Sequence, residues 1–84
     1  MSDFGKNLRK LRKERGITQE KLAAVLHYGY TAITNYESGR NEPCLDDLIR
    51  IADYFDVSLD TLLGRERPNG RRYHGIWYFI FEED

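Results

Sequence analysis

The sequence contains little of what several protein classes require. Its longest apolar run is the six residues 76–81, whereas a membrane-spanning helix needs about 20. Its one cysteine, Cys44, excludes an internal disulfide, and the two histidines, His27 and His74, are too far apart to suggest a metal site. The segment after Met1 is charged, unlike a secretory signal. We therefore expect a soluble cytoplasmic protein without a disulfide scaffold, a zinc module or a membrane helix.

Patterns typical of catalysis and cofactor binding are also lacking. No serine–histidine–aspartate, cysteine–histidine or paired-carboxylate arrangement marks a site, and 84 residues leave little room for a substrate pocket. Apolar residues make up 40% of the chain and charged residues 32%, which is typical of one small folded domain with a tail. We expect neither an enzyme nor a cofactor, and no small-molecule ligand is indicated.

Charge is distributed unevenly along the chain. The formal net charge of −1 does not by itself favour nucleic-acid binding. Residues 1–40, however, carry eight basic and four acidic side chains, residues 41–64 carry one and six, and residues 65–84 carry four of each. A protein with a basic end and an acidic end can be oriented by a polyanion. The alternative is that these charges only solvate the surface.

Apolar residues spaced three and four apart predict three short helices in the first 40 residues. The first begins near Phe4 and is stopped by Gly16, and the second is capped by the Thr18 hydroxyl and ends before the segment 27–29. The third is predicted over 30–38. Its short connection to the second helix, which contains a glycine, is typical of a helix-turn-helix unit.

Two further helices are predicted between residues 41 and 64. The fourth is amphipathic, with acidic residues in its first turn where the helix dipole favours them. Its predicted inward-facing residues are Leu45, Leu48, Ile49, Ala52 and Phe55. The fifth is capped by Ser58 and ends at Gly64. Residues 1–64 are thus predicted to form one all-α domain, and residues 65–84 a separate tail.

Four segments of this domain carry a family resemblance, in this order: Leu8–Arg12, Gly16–Ala23, Ile33–Arg40 and Pro43–Leu63. Together they resemble the Cro and lambda-repressor-type helix-turn-helix family, also called the xenobiotic-response-element family. The resemblance implies a five-helix lambda-repressor-like fold. It also implies a prokaryotic or phage transcriptional regulator, typically a repressor, that binds double-stranded DNA.

The resemblance also implies roles for individual residues. The predicted third helix would read bases, with Asn35 suited to the adenine edge; the four base-reading candidates are Tyr30, Thr31, Thr34 and Asn35. Phosphate binding is implied at the start of the second helix and after the third, by Thr18, Gln19, Ser38, Arg40 and Asn41. Arg12 and Glu37 match a family pair that forms a structural ion pair. Because the reading face lacks arginine and lysine, we expect readout of A·T positions and of DNA shape.

The tail is the least family-like part of the chain. Its β-branched and aromatic residues predict a short C-terminal β extension, formed by Ile76, Trp77, Tyr78, Phe79, Ile80 and Phe81. Such a strand is apolar on both faces and invites pairing, so we expect these residues to hold a homodimer. A dimer would place two reading helices about 34 Å apart and would bind a palindromic operator. The alternative is that the tail packs on its own domain.

A second function class remains open from the sequence. The acidic half of the domain and the aromatic tail are also compatible with a protein-interaction module, such as an antitoxin or adaptor. Salt dependence separates the two classes, because a protein with several phosphate contacts loses DNA affinity steeply as salt rises, whereas an apolar contact hardly responds.

Overall fold

The structure, a computed structural model, describes residues 3–65. Within them lie five α-helices: α1 (Phe4–Glu14), α2 (Gln19–Leu26), α3 (Ala32–Ser38), α4 (Leu45–Phe55) and α5 (Leu59–Leu63). The predicted all-α, five-helix fold class is therefore confirmed. The predicted strand at 76–81 lies outside the described residues, as does all of the tail except Arg65.

The core receives one fully buried side chain from each helix. These residues are Leu8, Leu22, Ile33, Ile51 and Leu62. Around them pack further buried residues of α1, α2 and α4, namely Phe4, Ala23, Leu26, Ala52 and Phe55. Because helices as short as α3 and α5 are unstable alone in water, burial of these faces is what stabilises them.

Side-chain caps set where α2 and α5 begin. The hydroxyl of Thr18 accepts a hydrogen bond from the backbone N–H of Lys21 at 3.0 Å, and the hydroxyl of Ser58 accepts one from the N–H of Thr61 at 3.0 Å. Both caps were predicted from the sequence and are confirmed. Cys44, which precedes α4, makes no capping hydrogen bond within residues 3–65.

The start of α3 differs from the prediction. The helix was expected over 30–38 but begins at Ala32, whose backbone N–H donates to the carbonyl oxygen of Gly29 at 3.1 Å. This bond closes a turn, so Tyr30 and Thr31 precede the helix instead of forming its first turn. Gly29 has no side chain with which to cap a helix there, which explains the later start.

The buried face of α4 agrees with the prediction only in part. Ala52 and Phe55 are buried and Leu48 packs against the core, as predicted. Ile51 is buried although it was not predicted, whereas Leu45 is 62% exposed and Ile49 is 41% exposed. Apolar residues occupy more of this helix surface than the rest of the domain can cover. Periodicity alone therefore could not decide which arc of α4 faces inward.

A glycine allows α1 to lie directly against the end of α3. A Cβ atom placed on Gly5 would lie 2.6 Å from the carbonyl oxygen of Tyr36 and 2.9 Å from that of Glu37. The neighbouring Phe4 ring packs edge-on against the ring of Tyr36, with 5.8 Å between their centres. Any larger residue at position 5 would separate the two helices, because both carbonyl oxygens belong to the backbone and cannot rotate away.

Arg50, on α4, supports the turn between α2 and α3. Its Nη2 donates to the carbonyl oxygen of Leu26, the last residue of α2. Its guanidinium lies 5.1 Å from the centre of the Tyr28 ring, and its Nη1 lies 3.8 Å from the carboxylate of Asp47. A cation is favourable both over an aromatic face and at a helix C-terminus. Arg50 thereby fixes the backbone where the chain turns from α2 towards α3.

Candidate nucleic-acid interface

An ion pair joins α1 to the C-terminal part of α3. Arg12 donates from Nε and Nη2 to the two carboxylate oxygens of Glu37, at 2.6 and 3.1 Å. The two side chains are only 11% and 5% exposed. Arg12 also donates from Nη1 to the carbonyl oxygen of Ile17 at 2.8 Å. The hydrogen bond with Glu37 raises the pKa of the Arg12 guanidinium. The two residues expected to pair therefore lie in contact, in the bidentate geometry that makes such pairs strong.

Gln19 connects this ion pair to the exposed face of α3. Its Nε2 donates to Glu37 Oε1 at 2.9 Å, and its Oε1 accepts from the Thr34 hydroxyl at 3.2 Å. Only this orientation of the amide suits both partners, because a carboxylate cannot donate. One of the two amide N–H groups of Gln19 is used by Glu37, and the second is left for an external acceptor. The first residue of α2 thus sets the position of the middle of α3.

Thr18 is both a helix cap and a possible donor. Its oxygen accepts the Lys21 N–H that caps α2, which leaves its own hydroxyl proton unused by that bond. The residue is exposed and directly precedes Gln19. A phosphate at this end of α2 would meet two donors on consecutive residues.

A concave polar surface of about 440 Å³ lies between α1, α2 and α3. Its lining residues are Arg9, Arg12, Lys13, Gln19, Thr34, Glu37 and Ser38. Since Glu37 neutralises Arg12, the uncompensated positive charge comes from Arg9 and Lys13, both of which are exposed. These two residues were not among the predicted site residues. Their spacing of four, on one face of α1 beside Arg12, is the signal that could have identified them.

The predicted base-reading residues are divided between α3 and the turn before it. Thr34 is exposed on the helix and Asn35 is half-buried beside it. The Thr34 hydroxyl gives its proton to Gln19, so it offers an outside partner only its lone pairs and its methyl group. The side-chain amide of Asn35 has no hydrogen-bond partner among residues 3–65. Tyr30, 68% exposed, and Thr31 lie one turn earlier.

The chain beyond α3 is organised around one carbonyl group. The backbone oxygen of Asn35 accepts from the hydroxyl of Ser38 at 3.1 Å, and from the N–H groups of Arg40 at 2.9 Å and Asn41 at 3.3 Å. Ser38 was expected to hold a phosphate, but its proton is used in this turn. It could donate to a phosphate only by giving up that bond. The side chains of Arg40 and Asn41 are exposed and remain available.

Residues 3–65 contain no group of three side chains able to hold a metal ion. None of the helices in the same part of the chain is long and apolar enough to cross a membrane.

Comparisons with known proteins agree with this geometry. A sequence profile of a helix-turn-helix family matches residues 8–62. The transcriptional activator BcrR of Enterococcus faecalis is 39% identical over 64 residues, which are 76% of this chain and 31% of BcrR. The transcriptional regulator ImmR of Bacillus subtilis is 36% identical over 63 residues, 75% of this chain and 50% of ImmR. The cryptic phage CTXphi repressor RstR of Vibrio cholerae is 37% identical over 54 residues, 64% of this chain and 48% of RstR.

A solved structure supports the same assignment. The crystal structure of a transcriptional regulator from Listeria innocua has a TM-score of 0.76 to this chain at 28% identity, covering 99% of this chain and 78% of the other. The chain spans between about a third and about half of the length of the curated relatives described above. From the profile match, the relatives and the shared fold, this chain belongs to the Cro and lambda-repressor-type helix-turn-helix family of DNA-binding transcriptional regulators.

Proposed function

We propose that this protein is a transcriptional repressor that binds a palindromic operator in double-stranded DNA as a homodimer. The observation that carries the proposal is the network of Arg12, Glu37, Gln19 and Thr34, which holds α3 rigidly against α1 and α2 while leaving its outer face exposed. A helix fixed in this way can present side chains to the major groove without losing further conformational freedom on binding.

In this proposal α3 is the recognition helix. The Asn35 amide pairs with the edge of an adenine, and Thr34 contacts a neighbouring base through its methyl group and its lone pairs. Tyr30 and Thr31, in the turn before α3, contact bases or sugar at the margin of the groove. Because none of these four residues can make the arginine–guanine contact, the operator half-site is expected to be rich in A·T at the positions read by α3.

Phosphate groups flank this reading surface on two sides. At the start of α2 the donors are the hydroxyl of Thr18 and the second amide N–H of Gln19, and after α3 they are the side chains of Arg40 and Asn41. Ser38 contributes only by organising the turn that directs them. The exposed basic side chains of Arg9 and Lys13 add positive charge at the concave surface. Each phosphate neutralised makes affinity fall more steeply with salt.

The tail supplies the dimer contact in this proposal. Residues 1–64 are the DNA-binding domain and residues 65–84 the dimerisation element, with the apolar residues 76–81 at the interface between two copies. A two-fold dimer places two recognition helices on one face of the duplex, which is why the operator is expected to be an inverted repeat. The protein would act in the cytoplasm, bound to the nucleoid.

The test is selection from a random duplex library at physiological salt, followed by sequencing of the retained DNA. We expect an inverted repeat whose half-site centres are about one helical turn apart. Asn35→Ala should lose about 1–3 kcal/mol of discrimination at one A·T pair. Asp56→Asn removes an exposed charge on the acidic side and suits the left-handed backbone there, so it should select the same sequence as the unaltered protein. Uniform recovery of all sequences by a folded protein would refute the regulator proposal.

A further inference from the structure

An apolar groove opens between α4 and α5, and it shares no lining residue with the concave polar surface of α1–α3. Its volume of about 470 Å³ lies in the range typical of ligand pockets. The floor is formed by Ile49, Ala52, Val57 and Leu59, and the acidic residues Asp53 and Asp60 stand at its edges.

Exposed apolar side chains extend this groove along α4. Ile49 is 41% exposed and Leu45, four residues earlier, is 62% exposed. Residues four apart lie on the same face of a helix, so the two side chains form a continuous apolar strip leading into the groove. Single exposed apolar residues are ordinary, but a strip joined to an apolar groove marks a surface that another chain covers.

The charge around the groove restricts the chemical class of the partner that covers it. Asp53 and Asp60 repel nucleic acid, as does the surplus of acidic residues in 41–64. These charges favour a polypeptide over nucleic acid as the occupant, with apolar residues for the floor and basic residues for the edges.

Part of the tail of this protein has that chemistry. The apolar segment 76–81 follows shortly after the basic pair Arg71 and Arg72, and the three acidic residues 82–84 follow it directly, so the N-terminal side of the segment is the one that suits the acidic edges. As a strand it would be about 20 Å long, which matches the length of about 16 Å of the 11-residue helix α4. The ten residues 66–75 separate Arg65 from this segment, and they can span up to about 35 Å. The segment can therefore reach a groove on its own domain or on a neighbouring one.

We infer that the α4–α5 groove binds the segment 76–81 of a second copy of this chain, with Trp77 on the floor. A strand carries side chains on two faces, and here both are apolar, with Trp77, Phe79 and Phe81 on one and Ile76, Tyr78 and Ile80 on the other. The groove covers one face. Reciprocal exchange between two copies brings the second faces together on the two-fold axis, whereas a tail packed on its own domain would leave them in water. This inference rests on the proposed dimer and assigns its docking surface.

The test uses the full chain and its single tryptophan, Trp77, as the reporter. Sedimentation velocity measures the mass and the emission maximum reports whether Trp77 is buried. The unaltered protein is expected to be a dimer with blue-shifted emission. Ile49→Asp should weaken the dimer about tenfold or more and shift the emission to that of an exposed indole. Val25→Asp, at a 37% exposed apolar position on α2, is the matched control and should resemble the unaltered protein.

A mixing experiment identifies whose groove is occupied. The Ile49→Asp chain has a tail but no working groove, and a Trp77→Asp chain has a groove but no tryptophan. If the tail docks on a second copy, mixing the two variants should restore the blue shift and produce a heterodimer. No change on mixing would overturn the inference in favour of a tail that packs on its own domain.

Other outcomes separate this inference from the proposed function. A dimer that selects an inverted repeat and is unaffected by Ile49→Asp would overturn the docking surface while the regulator proposal stands. A monomer with an exposed Trp77 would overturn both the dimer and the docking surface, and would leave the groove to a different protein. Loss of DNA selection with intact groove-dependent dimerisation would refute only the regulator proposal.

Discussion

The two ends of the domain use their side chains in opposite ways. At the α1–α3 end, the polar groups bond to one another in a half-buried network, and free positive charge is confined to exposed residues such as Arg9 and Lys13. At the α4–α5 end, apolar side chains remain uncovered among acidic ones. The first arrangement suits a rigid surface that meets a polyanion, and the second suits contact with another polypeptide. In a domain this small, the α1–α3 face can be specialised for DNA only if contacts with other polypeptides are made at the α4–α5 end.

The largest expected effect comes from breaking the network at the α1–α3 end. Glu37→Ala leaves the buried Arg12 guanidinium without its carboxylate, which should cost about 3–5 kcal/mol of unfolding free energy. Thermal denaturation measures this, and Glu42→Ala, which removes an exposed carboxylate, is the control. A thermal midpoint equal to that of the unaltered protein would contradict a structural role for the pair. A double replacement of Arg12 and Glu37 by methionine should recover part of the loss, because no buried charge is then left unpaired.

The next largest effect on stability is expected from disturbing the close contact between α1 and α3. Gly5→Ala should destabilise the domain by about 1–3 kcal/mol, because the new Cβ would meet two backbone carbonyl oxygens. Helix propensity predicts the opposite, a gain of about 1 kcal/mol from replacing glycine with alanine. Chemical denaturation decides between them, with Lys6→Ala at an exposed position of the same helix as the control. A stabilised Gly5→Ala protein would mean that the two helices can separate without cost.

A smaller effect is expected from the charge at the concave surface. Lys13→Ala should weaken DNA binding about equally for all sequences and should reduce the slope of log affinity against log salt by about 1. Arg65→Ala removes the same charge at the other end of the domain and should leave the slope unchanged. Fluorescence anisotropy titrations at several salt concentrations measure both. Equal slopes for Lys13→Ala and the unaltered protein would exclude Lys13 from phosphate contact.

The smallest effect concerns a tyrosine at the junction of the two ends. Burial, followed by the neighbouring Asp47 carboxylate, raises the pKa of Tyr28 above its ordinary value, and its hydroxyl has no well-formed hydrogen bond among residues 3–65. The neutral phenol is therefore favoured in the fold. This contribution is present below about pH 10 and is lost as pH rises towards the folded-state pKa.

Tyr28→Phe should consequently change stability at pH 7 by less than about 1 kcal/mol and should make the loss of stability above pH 10 shallower. Burial also raises the pKa of Tyr36, so the loss should not vanish in this variant. Urea denaturation at pH 7 and at several pH values above 10 tests both statements. An identical alkaline decline in Tyr28→Phe and in the unaltered protein would show that Tyr28 does not contribute to it.

Local patterns in the sequence were sufficient to predict those features of the fold that depend on neighbouring residues. The five helices and the caps at Thr18 and Ser58 follow from spacing and from hydroxyl chemistry, and both were confirmed. The family resemblance was confirmed by the profile match and by the shared fold. The roles given to individual DNA-binding residues remain predictions.

The error in α4 occurred where distant parts of the chain compete for one surface. The prediction placed Leu45 and Ile49 in the core, but α4 turns Ile51 inward instead. No pattern in the sequence marks Gly5, whose steric role comes from the close approach of α3. The hydroxyl of Ser38 donates within the turn after α3, and its predicted phosphate contact stays a prediction.

The sequence by itself determined that residues 3–65 fold as five short helices with a basic and an acidic half, because periodicity, capping and charge are local properties that can be read from the order of residues. Tertiary structure alone decided which side chains are exposed and which hydrogen-bonding groups are left unused within residues 3–65. It gave one N–H of Gln19 to Glu37 and left the Asn35 amide unpaired within residues 3–65, and it uncovered the α4–α5 groove. The physical reason is that exposure and hydrogen bonding depend on contacts between residues far apart in the chain, which no local pattern contains.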